Sequence, residues 1–251
     1  MLTPSSFALL VGAAFCAGLV DAIGGGGGLI TVPALLAAGL PPHAVLATNK
    51  GQASFGAATS LLTYLRRGGL DRARLPLGLL SGFVGSLLGA RLVLWIPPEP
   101  LRPLVLLLLG AAAVVMLLRD RLVRTTGHVS SSRLGLCALG VLLGAYDGFF
   151  GPGTGTLLIA AFVHFFGDSP TRASGNAKII NFASNVAALL VFQLRGSIIL
   201  WSLALPMGVA NIVGANLGAR LVLRHGDRIV RVVVLLVVVA VAVKVLLDLS
   251  R

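Results

Sequence analysis

Apolar residues in this chain are gathered into ten runs, separated by short polar or glycine-rich stretches. A transmembrane helix needs about 20 apolar residues, and most of these runs approach that length. The runs cover residues 6–23, 29–40, 43–65, 75–96, 101–118, 134–150, 155–166, 170–195, 198–222 and 229–249. The pattern therefore predicts an all-α polytopic membrane protein with about 8–10 membrane segments.

Two of the runs, 29–40 and 155–166, are too short to cross a bilayer as straight helices. About twelve residues give roughly 18 Å of helix, against a hydrocarbon core of about 30 Å. Each short run follows a glycine-rich stretch, Gly24–Gly28 in the first half and Gly151–Gly155 in the second. We expect a broken or re-entrant helix at each place, and the pattern leaves open which of the two it is.

The two halves of the chain resemble each other, which indicates an internal duplication. The matching elements are Asp21 with Asp147, Asn49-Lys50 with Asn176-Ala177-Lys178, Arg67-Gly68 with Arg195-Gly196, and Gly85–Leu92 with Gly214–Leu221. The last match contains glycines four residues apart, a spacing typical of closely packed membrane helices. We expect a first membrane repeat at residues 1–125, a linker at 126–133 and a second repeat at 134–251.

Composition and charge agree with a membrane location. The chain is 57% hydrophobic and 11% charged, with a net charge of +12. Its arginines concentrate in three loops, at 66–74, 119–133 and 220–231. This arrangement favours the positive-inside rule over nucleic-acid binding, and it places all three loops in the cytoplasm if each half crosses an odd number of times. The sequence therefore predicts an inverted repeat in the cell membrane, with the lipid bilayer as its partner.

Lysines inside apolar segments mark candidate binding positions, because an intramembrane charge is costly and commonly functional. Lys50 and Lys178 each lie about eight residues into a helix expected to begin at Pro42 or Pro170. Polar neighbours accompany them: Thr48, Asn49, Gln52, Asn176 and Asn181, with Asn185 on the helical face of Lys178. We expect the lysines and the first five of these polar residues to bind an anion, and the alternative is that both lysines reach to an interface.

The glycine stretches could serve the same ligand. Glycine permits φ > 0 and close approach of a ligand to backbone amides, and free N–H groups at a helix start favour an anion. The candidates are Gly25, Gly26, Gly27, Gly151 and Gly153. The alternative is that these glycines only break a helix or allow close packing.

Asp21 and Asp147 are the acids inside the long apolar segments and are candidate coupling groups. They could pair with the lysines, cap the helices that follow, or carry protons. A cation or metal permease built on them is an alternative function. The cysteines and histidines are scattered, so we expect no disulfide, metal site or cofactor. The sequence shows no nucleophile–base set, which argues against the further alternative of a membrane enzyme or assembly partner.

At these residues the chain resembles a known family. A glycine-rich loop, Leu29-Ile30-Thr31-Val32-Pro33 and Ala47-Thr48-Asn49-Lys50, repeated loosely as Gly151-Pro152-Gly153 and Asn176-Ala177-Lys178, is similar to the TauE/SafE family of sulfite exporters. The resemblance covers nearly the whole chain. It implies a permease for sulfite, thiosulfate, sulfoacetate or other organosulfonates, bound between the two repeats.

Overall fold

The computed structural model describes residues 3–123, 132–196 and 198–226. These ranges form α-helices and contain no β-strand, so the predicted all-α fold class is confirmed. The helices are α1 (Pro4–Gly24), α2 (Gly28–Ala37), α3 (Pro42–Arg66), α4 (Leu75–Leu94), α5 (Pro98–Val123), α6 (Arg133–Phe149), α7 (Thr154–Phe166), α8 (Pro170–Leu194) and α9 (Trp201–His225). The predicted run at 229–249 and most of the predicted linker lie outside the described residues.

Helix boundaries follow local rules of chain geometry. Pro42 and Pro170 are the first residues of α3 and α8, as predicted, because a proline ring fixes a helical φ and its missing N–H is not needed there. The Ser169 side chain caps α8 by accepting a hydrogen bond from the Arg172 backbone N–H at 3.3 Å. Gly167 ends α7 with a left-handed φ of 67°, which glycine adopts without a steric penalty.

Glycines allow helices of different halves to pack closely. A side chain on Gly85 of α4 would overlap the Val141 backbone of α6, and one on Gly214 of α9 would overlap the Phe15 backbone of α1. The glycine four residues later in α4 and in α9 makes the same kind of contact. The first helix of each half therefore packs on the fourth helix of the other half, through the predicted glycine spacing.

The equivalent helices α3 and α8 run in opposite directions. Near the start of α8, Asn176 Oδ1 accepts a hydrogen bond from the backbone N–H of Asp71, just beyond the end of α3, at 2.8 Å. Near the start of α3, Thr48 Oγ1 accepts from the backbone N–H of Leu200, beyond the end of α8, at 3.1 Å. Each helix thus begins where the other ends. The inverted repeat stays a prediction, and this arrangement favours it.

The arginine-rich loops gather at one end of the bundle, which we call the basic end and define by residues 66–74. Arg66 lines a cleft together with Arg220 near the end of α9. Arg74 lines another cleft together with Arg133 at the start of α6. The described parts of all three predicted basic loops therefore share this end, which is the placement that the positive-inside argument requires.

The short helices α2 and α7 turn back instead of continuing across the bundle. Helices α1 and α9 are parallel, because Gly214 of α9 lies against Phe15 and Gly218 lies against Leu19. Since α9 ends at the basic end, α1 also runs toward it. Helix α3 begins at the opposite end, soon after α2 finishes. Helix α2 must therefore return to the end from which α1 came. The same reasoning applies to α6, α7 and α8, so the two hairpins enter from opposite ends.

By length and composition, four of the described helices could cross a membrane: Pro4–Gly24, Arg72–Leu94, Pro170–Leu194 and Trp201–His225. The helices α2 and α7, with 10 and 13 residues, are shorter than the roughly 20 residues that a crossing needs. The bundle thus has the composition of a multi-pass membrane protein, with two short helices inside it.

Candidate functional site

The tips of the two hairpins touch each other in the interior of the bundle. A Cβ atom on Gly25 would overlap the backbone of Gly155 and Thr156, and Gly25 itself has a φ of 75°. The Thr156 hydroxyl donates to the Gly24 carbonyl at 3.1 Å across this contact. The glycine stretches of the two halves therefore form one joint structure, and glycine at residue 25 is required by both backbone conformation and space.

Two ion pairs cross between the halves beside this contact. Lys50 Nζ of the first half lies 2.8 Å from Asp147 Oδ1 of the second. Lys178 Nζ of the second half lies 2.6 Å from Asp21 Oδ2 of the first. Among the roles that the sequence leaves open for the aspartates, pairing with lysine is the one that the structure shows. Both lysines are buried, so they do not reach to an interface.

Asp147 is surrounded by hydrogen-bond donors from α8. Its Oδ2 atom accepts a close hydrogen bond from the Ser184 hydroxyl. Longer hydrogen bonds come from Asn181 Nδ2 at 3.4 Å and Asn185 Nδ2 at 3.5 Å. Because Lys50 occupies Oδ1, both carboxylate oxygens are engaged and the side chain is only 2% exposed. Such a set of donors compensates for the water that a buried carboxylate has lost.

Asp21 has a much poorer set of partners. Among the described residues, its carboxylate accepts a side-chain hydrogen bond from Lys178 alone, and the Asp21 side chain is 25% exposed. Both aspartates lie on the wall of the same small cavity. The two ion pairs thus have the same composition in different surroundings.

The cavity lies between the hairpin tips and has a volume of about 30 Å³, space for about two water molecules. Its walls are formed by small residues, amides and the charged groups: Ala17, Asp21, Gly27, Gly28, Asn49, Lys50, Gln52, Ala53, Asp147, Gly151, Asn181, Asn185 and Asn211. An oxyanion with its hydration shell does not fit this volume. The structure therefore shows the cavity in a state too narrow for a hydrated anion.

One side of the cavity is a chain of hydrogen-bonded amides. Asn211 Nδ2 donates to Gln52 Oε1 at 2.6 Å, and Gln52 Nε2 donates to Asn49 Oδ1 at 3.0 Å. The Thr31 hydroxyl donates to the same Asn49 oxygen at 2.6 Å. These bonds orient the amide of Asn49 with its oxygen fully used. Among the described residues nothing accepts a hydrogen bond from Asn49 Nδ2, so this donor is left for a group in the cavity.

The structure brings many of the predicted site residues to the cavity wall: Asp21, Gly27, Asn49, Lys50, Gln52, Asp147, Gly151 and Asn181. Lys178 lies behind Asp21 and joins the site through its ion pair. Gly26, with a φ of 93°, belongs to the hairpin tip but is not a wall residue.

Other predicted site residues lie elsewhere. Thr48 and Asn176 bind the loops that precede α9 and α4, so their side chains anchor helix starts instead of facing a ligand. Gly25 packs on the opposite hairpin tip, and a Cβ atom on Gly153 would meet Ala112 of α5 at 3.0 Å. These residues shape the site from outside the cavity.

Two asparagines of the cavity wall were not among the predicted ligands. The spacing from Lys178 places Asn185 on the correct helical face, and the structure shows it at the cavity. Asn211 corresponds to Gly82 when Gly85 is matched with Gly214, so comparison of the halves gives no signal for it. An amide alone within an apolar membrane segment is the signal that could have identified Asn211.

Comparison with known proteins gives the family of the chain. The family model described as sulfite exporter TauE/SafE matches residues 10–245. The chain belongs to the TauE/SafE family. The predicted resemblance is therefore confirmed over nearly the whole chain.

Similar proteins are named as membrane transporters. The chain is 38% identical to the probable membrane transporter protein ORF9 of Sinorhizobium sp, over 96% of this chain and 92% of that protein. It is 36% identical to the probable membrane transporter protein YfcA of Escherichia coli K12, over 99% and 92%. A probable membrane transporter protein of Haemophilus influenzae is 37% identical over 96% and 94%. No solved structure matches the chain. This TauE/SafE protein is a multi-pass membrane transporter.

Proposed function

We propose that this TauE/SafE protein transports sulfur-containing oxyanions, such as sulfite, thiosulfate, sulfoacetate or other organosulfonates. The observation that carries the proposal is the set of donors around the narrow cavity. Lys50 lies on the cavity wall, with the amides of Asn49 and Gln52 beside it. Ammonium and amide N–H groups are the donors that oxyanion oxygens accept, and hydrogen bonds to a charged oxygen are the strong ones. The family description supports the same class of substrate.

The ion pairs define how an anion would bind. Lys50 and Lys178 each have a carboxylate partner, so the charges of the site are balanced when it is empty. A buried ammonium that loses its partner is strongly destabilised. An incoming oxyanion must therefore replace a carboxylate at a lysine, contributing the negative charge that the aspartate gave.

Transport requires the narrow cavity to open to each side in turn. The hairpins α1–α2 and α6–α7 enter from opposite ends and meet at Gly25 and Gly155. Movement of one hairpin at a time would open the cavity toward one end while the other hairpin keeps it shut. Broken helices at the contact of two repeats are a common construction of transporter binding sites.

The acids of the site do not favour the alternative of a cation permease. Among the described residues, no group of three or more His, Cys, Asp or Glu side chains could hold a metal ion. Asp21 and Asp147 lie against lysines, which would repel a cation. Both observations support an anionic substrate.

Flux into proteoliposomes tests the proposal. Purified protein should accumulate radiolabelled thiosulfate, sulfite or sulfoacetate faster than protein-free liposomes, and labelled divalent cations should enter no faster. The Lys50→Met variant should lose the anion flux, because an apolar side chain of similar length removes the donor. The Gly12→Ala variant is the matched control, since a Cβ atom there meets nothing within 4 Å. Cation flux without anion flux would overturn the proposal.

A further inference from the structure

The two aspartates of the site differ because the helices behind them differ. When Lys50 is matched with Lys178, three positions on α3 correspond to the donors that surround Asp147. The donors on α8 are Asn181, Ser184 and Asn185, and the corresponding residues on α3 are Ala53, Gly56 and Ala57. Two amides and a hydroxyl are thus replaced by residues without polar side chains. The duplication has kept the ion pair on both sides and the donors on one side alone.

The consequence appears in the surroundings of Asp21. Its Oδ2 atom accepts from Lys178, and a Cβ atom on Gly155 would lie 3.5 Å from its Oδ1 atom. Within the described chain, no second side chain donates to this carboxylate. Neutralising Asp21 by a proton would therefore break one ion pair, whereas neutralising Asp147 would disrupt an ion pair and three further hydrogen bonds.

The charged and titratable groups facing Asp21 are few. From α8 it faces Lys178, and from α3 it faces the Tyr64 phenol. Across the cavity lie Lys50 and Asp147, which form an ion pair with each other. The described parts of α2, α7 and α9 present glycines, Thr156 and Asn211 near it, none of which carries a charge. Asp21 also lies on the cavity wall with 25% of its side chain exposed, so water in the cavity can bring a proton to it.

We infer that Asp21 is the proton-carrying group of this transporter and that its protonation frees Lys178 to bind the substrate anion. This inference rests on the proposed function. A proton from water in the cavity binds a carboxylate oxygen of Asp21, and the ion pair with Lys178 breaks. The Lys178 ammonium keeps its three protons and donates to an oxygen of the anion instead. Lys50 stays paired with Asp147 and offers a further N–H to the anion from the cavity wall.

The charges fix the stoichiometry. One proton enters with each substrate anion. The anion can take the place of the Asp21 carboxylate beside Lys178 only after a proton has neutralised that carboxylate. For a monoanion the transported pair is neutral, and the membrane potential does not drive it. On the far side the anion leaves, Asp21 releases its proton to water and the Lys178 ion pair forms again. The anion therefore moves in the same direction as the proton.

Methanesulfonate is a suitable probe, since it is a monoanionic organosulfonate that carries no proton of its own. Proteoliposomes containing wild-type protein and an internal pH dye should acidify as labelled methanesulfonate enters. Setting the potential with potassium and valinomycin should leave that flux unchanged. The Asp21→Asn variant should move methanesulfonate without acidification, and its flux should respond to the potential because an unaccompanied anion carries charge.

Binding by the detergent-solubilised protein gives a second readout. The wild type should bind methanesulfonate roughly tenfold tighter or more at about pH 6 than at about pH 8, because binding is linked to proton uptake. Asp21→Asn, shown to be folded by its thermal melt, should bind equally at both pH values.

Three outcomes would overturn the inference. Wild-type anion flux without proton flux refutes proton coupling and leaves the proposed function intact. Retention of the pH dependence in a folded Asp21→Asn variant shows that another group carries the proton. Absence of wild-type flux of any sulfur oxyanion refutes the proposed function itself and this inference with it.

Discussion

Lys50 of the first half donates to Asp147 of the second half at 2.8 Å, in an ion pair whose two side chains are 3% and 2% exposed. The reciprocal pair joins Lys178 to Asp21. Each half thus supplies one cation and one anion, and neither half completes either of these two ion pairs on its own. The site exists only when the two repeats are assembled, which connects the binding chemistry to the packing of the bundle.

Removing both partners of the Lys50–Asp147 pair should cost less stability than the two single removals added together. Lys50→Ala leaves a buried carboxylate without its cation, and losing one partner of a buried pair costs about 3–5 kcal/mol. The double variant Lys50→Ala with Asp147→Ala removes both charges and should be less destabilised than the sum of the single variants. Thermal melts in detergent measure this. Additive shifts in melting temperature would show that the pair is not coupled.

The hairpin contact should tolerate no side chain. Gly25→Ala and Gly155→Ala each place a Cβ atom against the backbone of the opposite tip, where neither backbone can yield without displacing its hairpin. We expect lower folded yield and loss of anion flux in both variants. Gly12→Ala, in open space on α1, is the control and should behave as the wild type. Normal flux in Gly25→Ala would mean that the hairpins do not need this contact.

Much of the fold could be predicted from local sequence signals. Prolines at residues 42 and 170 set two helix starts, and apolar runs set the helix lengths to within a few residues. The short runs after the glycines correctly predicted short helices. The turn of α2 back toward the end where α1 begins could not be predicted from the sequence. The length of the short run shows that it cannot cross a membrane, but it does not show in which direction the helix runs.

The site was harder to predict, because matching two halves shows which residues are equivalent and not which ones touch. Lys50 is equivalent to Lys178, yet its partner is Asp147. Thr48 and Asn176 have the polar character of ligands and instead anchor helix starts. The amide of Asn211 has no counterpart in the first half, so the duplication could not reveal it.

The side of the membrane on which the basic end lies can be tested by cysteine labelling, without changing any arginine. In a variant with Cys16 and Cys137 replaced, single cysteines at His225 and Leu134 report on the basic end, and those at Trp95 and Leu194 report on the opposite end. All four positions are exposed. The positive-inside rule predicts that the first two react with a membrane-impermeant thiol reagent from the cytoplasmic side and the last two from outside.

A different labelling pattern would contradict specific parts of this topology. Reaction of the His225 and Leu134 cysteines from different sides would contradict the shared basic end and, with it, the inverted repeat. Reaction of all four cysteines from one side would mean that α4 and α8 do not cross the membrane.

Asn211 provides a test of whether the substrate is an anion. Asn211→Asp keeps the shape of the side chain and adds a negative charge at the cavity wall. At a separation of roughly 8 Å and an effective dielectric constant of about 20, the repulsion of a monoanion is about 2 kcal/mol. That corresponds to an increase of more than about tenfold in Kd.

Asn211→Ala is the matched control: it removes the hydrogen bond to Gln52 without adding charge, so its loss of affinity should be smaller. Titration of both variants with methanesulfonate at one pH measures the difference. Equal affinities in the two variants would show that the anion does not bind near this wall, and tighter binding by Asn211→Asp would indicate a cation.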